Sequence, residues 1–227
     1  MAWLLAIPAL PGLAFLTLIA LPARLRNRAV LIPVVAMHVS TVLSILAFLR
    51  VWPGGDELTS VVWNYSWSLA VVGGRPFELG FQLDSIAAVL LVTVTFVGTC
   101  VQIYSLGYMH RDERRGWYFA VLSLFTAAML TLVYADNLLL LFAMWELMGL
   151  CSYLLIGFWN KNTAYNNAAK KAFIINRIGD LGFLLGIFLI YLTFDSVQYA
   201  EVFQMASLGQ FGTYGAGICT AITLLLF

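Results

Sequence analysis

The chain reads as an all-α, polytopic membrane protein. Three observations predict this. Of its 227 residues, 62% are hydrophobic and only 10% charged, whereas a soluble domain carries about 25% charged residues. Seven long apolar segments recur along the sequence, and the charges between them alternate in sign from one connection to the next.

The segments are Trp3–Leu21, Ala29–Leu49, Asp84–Gly107, Gly116–Ala135, Asn137–Trp159, Ala168–Phe194 and Thr213 onward. About 20 apolar residues, at 1.5 Å each, cross roughly 30 Å of hydrocarbon. The first segment is apolar from Met1 without a basic leader, which favours a retained helix over a cleaved signal. Between the second and third lies Arg50–Leu83, where Val61–Val72 and Phe77–Leu83 are expected to pair as a hairpin turning at Gly73–Gly74. Asp84, Asp136 and Asn137 stand before apolar runs, as helix N-caps do. Trp3, Trp117, Tyr134, Trp159 and Tyr191 fall near segment ends and read as an interfacial belt. The last run, Gly215–Phe227, rises only about 20 Å and is too short to span; an incomplete chain is expected.

Charge sets the orientation. Arg24, Arg26, Arg28, Arg111, Arg114, Arg115, Lys161, Lys170 and Lys171 lie at alternate connections and make up nine of the twelve basic residues. The opposite connections carry Arg50 and Arg75 beside Asp56, Glu57, Glu78, Asp84, Asp136, Asp195 and Glu201. The positive-inside rule then places the basic loops in the cytoplasm and the N-terminus outside. No basic tract suggests nucleic acid. Cys100, Cys151 and Cys219 are far apart, and His38 and His110 have no Cys or His neighbour, so no metal site is expected.

Three charges remain within the apolar segments: Glu146, Arg177 and Asp180. A charge at the centre of a span costs about 2.5–3.5 kcal/mol on insertion scales, and such residues usually bind or pass an ion. Glu146 lies about 13 Å into its segment from one side, and Asp180 about 18 Å into the next from the other. The two acids are therefore expected in one polar layer. Arg177 and Asp180, three residues apart, share a helix face, with Asn176 adding an amide. Glu146 has no basic partner in its own segment; it needs one from elsewhere or carries a proton. Gly179, Gly182 and Gly186 are expected to admit a neighbouring helix. Lys170 and Lys171 read as interfacial residues that snorkel to headgroups, with a candidate role in proton uptake because Lys170 lies seven before Arg177.

The stretches ADNLLLLFAMWELMGLCSYLLIGFW from Ala135, KAFIINRIGDLG from Lys171 and LDSIAAVLL from Leu83 closely resemble the largest antiporter-like membrane subunit of respiratory complex I. The resemblance runs from about Phe77 to Phe188. The wider superfamily includes multisubunit sodium/proton antiporters and membrane-bound hydrogenases, and CSYLLIGF combined with NRIGD looks like complex I. The resemblance implies inverted five-helix repeats, each with one interrupted helix. Residues 1–107 would be three lead-in helices, and 108–227 the first part of a proton-translocating repeat. It further implies that Glu146 pairs with a lysine beyond Phe227, and that Arg177 and Asp180 occupy a second charged position. NADH, FMN, iron–sulfur clusters and quinone are expected in partner subunits and no cofactor in this chain, which has no G-x-G-x-x-G and no Cys cluster. Other membrane-arm and redox subunits, the lipid bilayer and protons would be its partners, in a bacterial plasma membrane or an organelle inner membrane. The competing readings are a subunit of a sodium/proton antiporter, a structural anchor that moves no ions, and a quinone-binding module, which would want a pocket residue such as His38 near a helix end.

Overall fold

A computed structural model describes residues 2–51, 63–72, 75–209, 215 and 217–226. After a single 3₁₀ turn at Ala2–Leu5, the elements are α1 (Ala6–Ala20), α2 (Ala23–Arg28), α3 (Leu31–Val51), β1 (Trp63–Val72), β2 (Arg75–Leu83), α4 (Ser85–Tyr108), α5 (Arg115–Tyr134), α6 (Leu138–Ile156), α7 (Thr163–Phe194), α8 (Tyr199–Ser207) and α9 (Gly217–Leu226). Among the described residues six helices are long and apolar enough to cross a membrane: Trp3–Ala20, α3, α4, α5, α6 and α7. This is a multi-pass membrane protein. The seventh segment forms the shorter α9.

Helix α1 continues through Pro11. Proline has no N–H, so the carbonyl of Ile7, four residues earlier, loses its intrahelical donor. Ser40 Oγ of α3 donates to that carbonyl at 2.9 Å. In lipid a freed backbone group must find such a partner, and this one also fixes α1 against α3. Helix α3 meets α4 through Thr41, whose hydroxyl lies 2.8 Å from the Thr99 hydroxyl and 3.1 Å from the Thr95 carbonyl. Helix α5 begins against the α2 turn, where Asn27 Oδ1 accepts from the Gly116 amide at 2.9 Å and Arg115 Nε donates to the Asn27 carbonyl at 2.9 Å.

At the opposite end β1 and β2 pair antiparallel, with a register shift between Ser68 and Ala70. The expected hairpin is present; its Gly73–Gly74 turn lies outside the described residues. Asp84 caps α4 by accepting from the Ala87 amide at 2.6 Å, and Asn137 caps α6 by accepting from the Leu140 amide at 2.7 Å. Asp136 is not a cap. It is buried, accepts from Asn137 Nδ2 at 2.8 Å, and joins its backbone to Gly80 and Tyr199. This ties the hairpin, the start of α6 and α8 together. Burial, then the Asp136 charge, holds the Tyr199 phenol well above the usual tyrosine range.

Three further departures from the sequence reading have physical causes. Helix α7 begins at Thr163, because Asn162 caps it through the Ala164 amide at 2.9 Å; its first residues are polar and escape a hydropathy pattern. Two short helices, α2 and α8, occupy connections. Tyr134 is buried at 1% exposure, edge-on to Trp63 and Phe81, and is a core residue. Trp3, Trp117 and Trp159 do meet polar partners at helix ends: Arg50, Arg26 and Asp112 respectively.

Candidate ion-translocation site in the apolar span

Helices α6 and α7 run antiparallel and in contact, so residues deep in each from opposite ends meet at one level. Arg177 of α7 bridges across. Its Nη1 forms an ion pair with Glu146 Oε2, while its Nε lies 3.6 Å from Asp180 Oδ2. At that distance the second contact is an ion pair without a hydrogen bond. Arg177 is therefore shared between two carboxylates. The sequence spacing pairs it with Asp180 alone; the approach of the two helices adds Glu146.

The surroundings fix the guanidinium. Its carbon sits 4.7 Å from the centre of the Phe173 ring, a cation–π distance. Gly149 lies one turn along α6 from Glu146, and a Cβ there would stand 3.3 Å from Arg177 Nη2. The indole N–H of Trp145 donates to Asp180 Oδ1 at 2.9 Å, and the Trp145 ring meets Phe183 edge-on at 6.3 Å. Asp180 is 7% exposed; the Glu146 and Arg177 side chains are half-buried. Two carboxylates and one guanidinium, all ionised, sum to one negative charge. Such a cluster in hydrocarbon calls for one more positive charge, either a proton or a cationic side chain.

Sequence reasoning misses Trp145, Gly149 and Phe173. The signal for Trp145 is its place in the middle of a span, where an indole N–H needs an acceptor. Lys170 and Lys171 are exposed near the basic end of α7 and are not part of the cluster. Nearby, a cavity of about 300 Å³ is lined by Arg114, Trp117, Tyr153, Phe158, Asn160 and Asn166, among others. Tyr153 packs on Phe173 at 5.4 Å, so one ring separates the cavity wall from Arg177. Gly186 lets α9 approach closely, since a Cβ there would lie 3.0 Å from Leu226 Cδ2. Gly182 faces the Leu225 carbonyl, and Gly179 faces nothing among the described residues. His38 is exposed, and its Nδ1 lies 2.7 Å from the Val34 carbonyl of its own helix.

Comparisons with known proteins agree with this architecture. Residues 67–119 match the family model described as NADH-ubiquinone oxidoreductase (complex I), chain 5 N-terminus, and residues 135–227 match NADH:quinone oxidoreductase/Mrp antiporter, TM. The chain is 54% identical over 129 residues to NADH-quinone oxidoreductase subunit L of Campylobacter jejuni, covering 57% of this chain and 22% of that protein. It is 43% identical over 198 residues to F(420)H(2) dehydrogenase subunit L of Methanosarcina mazei, covering 87% of this chain and 28% of that protein. The chain thus spans less than a third of these relatives' length. A chain of the membrane-bound sulfane sulfur reductase, an archaeal respiratory membrane complex, superposes with a TM-score of 0.80 at 16% identity, covering all of this chain and 43% of that one. This last likeness concerns the fold.

Proposed function

Because the chain belongs to the family of antiporter-like membrane subunits that includes complex I chain 5, we propose that it is the N-terminal portion of a proton-translocating membrane-arm subunit of an NADH:quinone oxidoreductase. The observation that carries this reading is the sharing of Arg177 between Glu146 and Asp180 inside the apolar span. A guanidinium held by two carboxylates can shift its weight from one to the other. Each shift alters the negative charge left for a proton or for a lysine of the remaining protein. Charges in low dielectric interact strongly over several ångströms, so a small motion or a change in hydration switches proton occupancy.

Protons reach the cluster from the cytoplasm through the cavity beside Tyr153, Asn160 and Asn166, with Lys170 and Lys171 at its approaches. Basic loops face the cytoplasm and the N-terminus faces outside. Residues 1–107 act as lead-in helices, and 108–227 open the translocating repeat. Redox chemistry with NADH, FMN, iron–sulfur clusters and quinone belongs to partner subunits. That one relative is named for F(420)H(2) rather than NADH supports an electron donor bound outside this subunit.

The test is NADH-driven acidification of inverted vesicles carrying the complete protein, wild type against Glu146→Gln, with assembly measured in parallel. An assembled variant that pumps less supports the reading; unchanged pumping refutes it. A subunit of a sodium/proton antiporter is the second reading, favoured by the shared description of the residue 135–227 match. Transport that follows a sodium gradient and ignores NADH would select it. An assembled Glu146→Gln variant with undiminished transport would instead favour a structural anchor.

A further inference from the structure

A second buried polar system lies away from the α6–α7 cluster. It runs between α3, α4 and α5 through Thr41, Thr95, Thr99, Gln102, Ser105 and Ser123, all buried. Most of its hydroxyls spend their hydrogens on carbonyls of their own helices: Thr41 on Met37, Thr95 on Leu91, Ser123 on Phe119. They are left with acceptor lone pairs only. Gln102 differs. It is 0% exposed, and neither its amide nitrogen nor its amide oxygen has a hydrogen-bond partner among the described residues.

The position of Gln102 follows from the contacts on either side of it. Gly98 lies against Thr126 and Met37, and Ser105 Oγ lies 3.2 Å from the Tyr118 hydroxyl. Gln102 stands one turn from each, hence opposite the Leu122–Ser123 level of α5, with Thr99 and Ser105 on its own face. A buried amide group left without a partner keeps the full cost of its desolvation, and here there are two. A single water molecule can supply both the donor and the acceptor that the amide lacks, and buried waters typically make about three such bonds. Towards the basic end the Tyr118 ring packs edge-on to Phe158 at 5.8 Å, and Phe158 lines the cavity described above.

We propose that Gln102 anchors an internal water site between α3, α4 and α5, bridging the Gln102 amide to the hydroxyls of Ser105, Thr99 and Ser123. The inference is independent of the proton-translocation reading. Its test is a water-resolved cryo-EM map of the complete membrane complex, wild type and Gln102→Met, with thermal melting of both. The expected map shows density at roughly 2.7–3.2 Å from at least one Gln102 amide atom, lost in Gln102→Met, and a lower melting midpoint for the variant because a satisfied bridge is removed. The proposal is overturned if the wild-type amide bonds protein groups directly with no density between them. It is equally overturned if Gln102→Met melts higher, as replacing an unsatisfied amide by an apolar side chain would.

Discussion

Replacing Arg177 with glutamine tests the charge balance of the α6–α7 cluster. The substitution leaves Glu146 and Asp180 without the cation they share. For the longer of the two contacts, 3.6 Å, Coulomb's law at an effective dielectric constant of about 20 gives roughly 5 kcal/mol of attraction. Removing one partner of a buried pair typically costs about 3–5 kcal/mol. There is also a ceiling. Rather than remain charged, a carboxylate can take up a proton, and for an ordinary carboxyl near pKa 4 this costs about 4 kcal/mol at pH 7. Both routes converge on about 4 kcal/mol, a large part of the 5–15 kcal/mol by which domains are typically stable. Arg177→Gln is expected to lower the amount of assembled complex on native gels and to abolish pumping in what assembles. Lowering the pH by one unit should recover at most about 1.4 kcal/mol per proton taken up. Adding Asp180→Asn restores the wild-type sum of one negative charge, so the double variant should assemble better than Arg177→Gln alone while still pumping poorly. If Arg177→Gln assembles and pumps like wild type, or if Asp180→Asn adds to the damage instead of relieving it, the charge-balance reasoning fails.

Trp145→Phe keeps the ring packing on Phe183 but removes the donor to Asp180 Oδ1. A bond to a charged group is worth about 1.5–3 kcal/mol, so pumping should fall about tenfold or more in a complex that still assembles, as read by vesicle acidification per assembled complex. Ser40→Ala strands the Ile7 carbonyl and should cost about 1–3 kcal/mol; in a Pro11→Ala background, where the helix regains its own donor, the same change should be nearly neutral, a coupling that a double-mutant cycle on melting midpoints measures. Gly80→Ala would place a Cβ 2.7 Å from Asp136 Cγ. Overpacking of this kind costs about 1–3 kcal/mol, and protease cleavage of the hairpin should speed up while α7, which Gly80 does not touch, stays protected.

What the sequence makes legible, and what it hides, follows from how far each signal reaches. Glu146, Arg177 and Asp180 stand out because a charge among some twenty apolar residues is costly wherever the chain folds. Their common level follows from helix rise and antiparallel entry into the membrane. Which carboxylate Arg177 meets does not follow, because spacing along one helix reports only same-helix neighbours, and the contact with Glu146 depends on how closely α6 and α7 pack beside Gly149. Trp145 escapes notice because hydropathy records that an indole is tolerated in lipid and not where its N–H points.

Gln102 and Ser40 are hidden for a related reason. Ser, Thr and Gln raise no alarm in an apolar segment, because a hydroxyl can bond its own helix and cost little. Their importance appears only when the demand on the other side is known: the Ile7 carbonyl freed by Pro11, or an amide with no partner among the described residues. The Pro11 demand is readable all the same, since a proline beyond the first turn of a membrane helix frees a carbonyl four residues earlier. A polar residue on a facing helix is then a requirement that the sequence alone can be searched to meet. The same logic applied to Trp145 points to a carboxylate on the neighbouring span, and the short connection between α6 and α7 leaves Asp180 as the acid within reach.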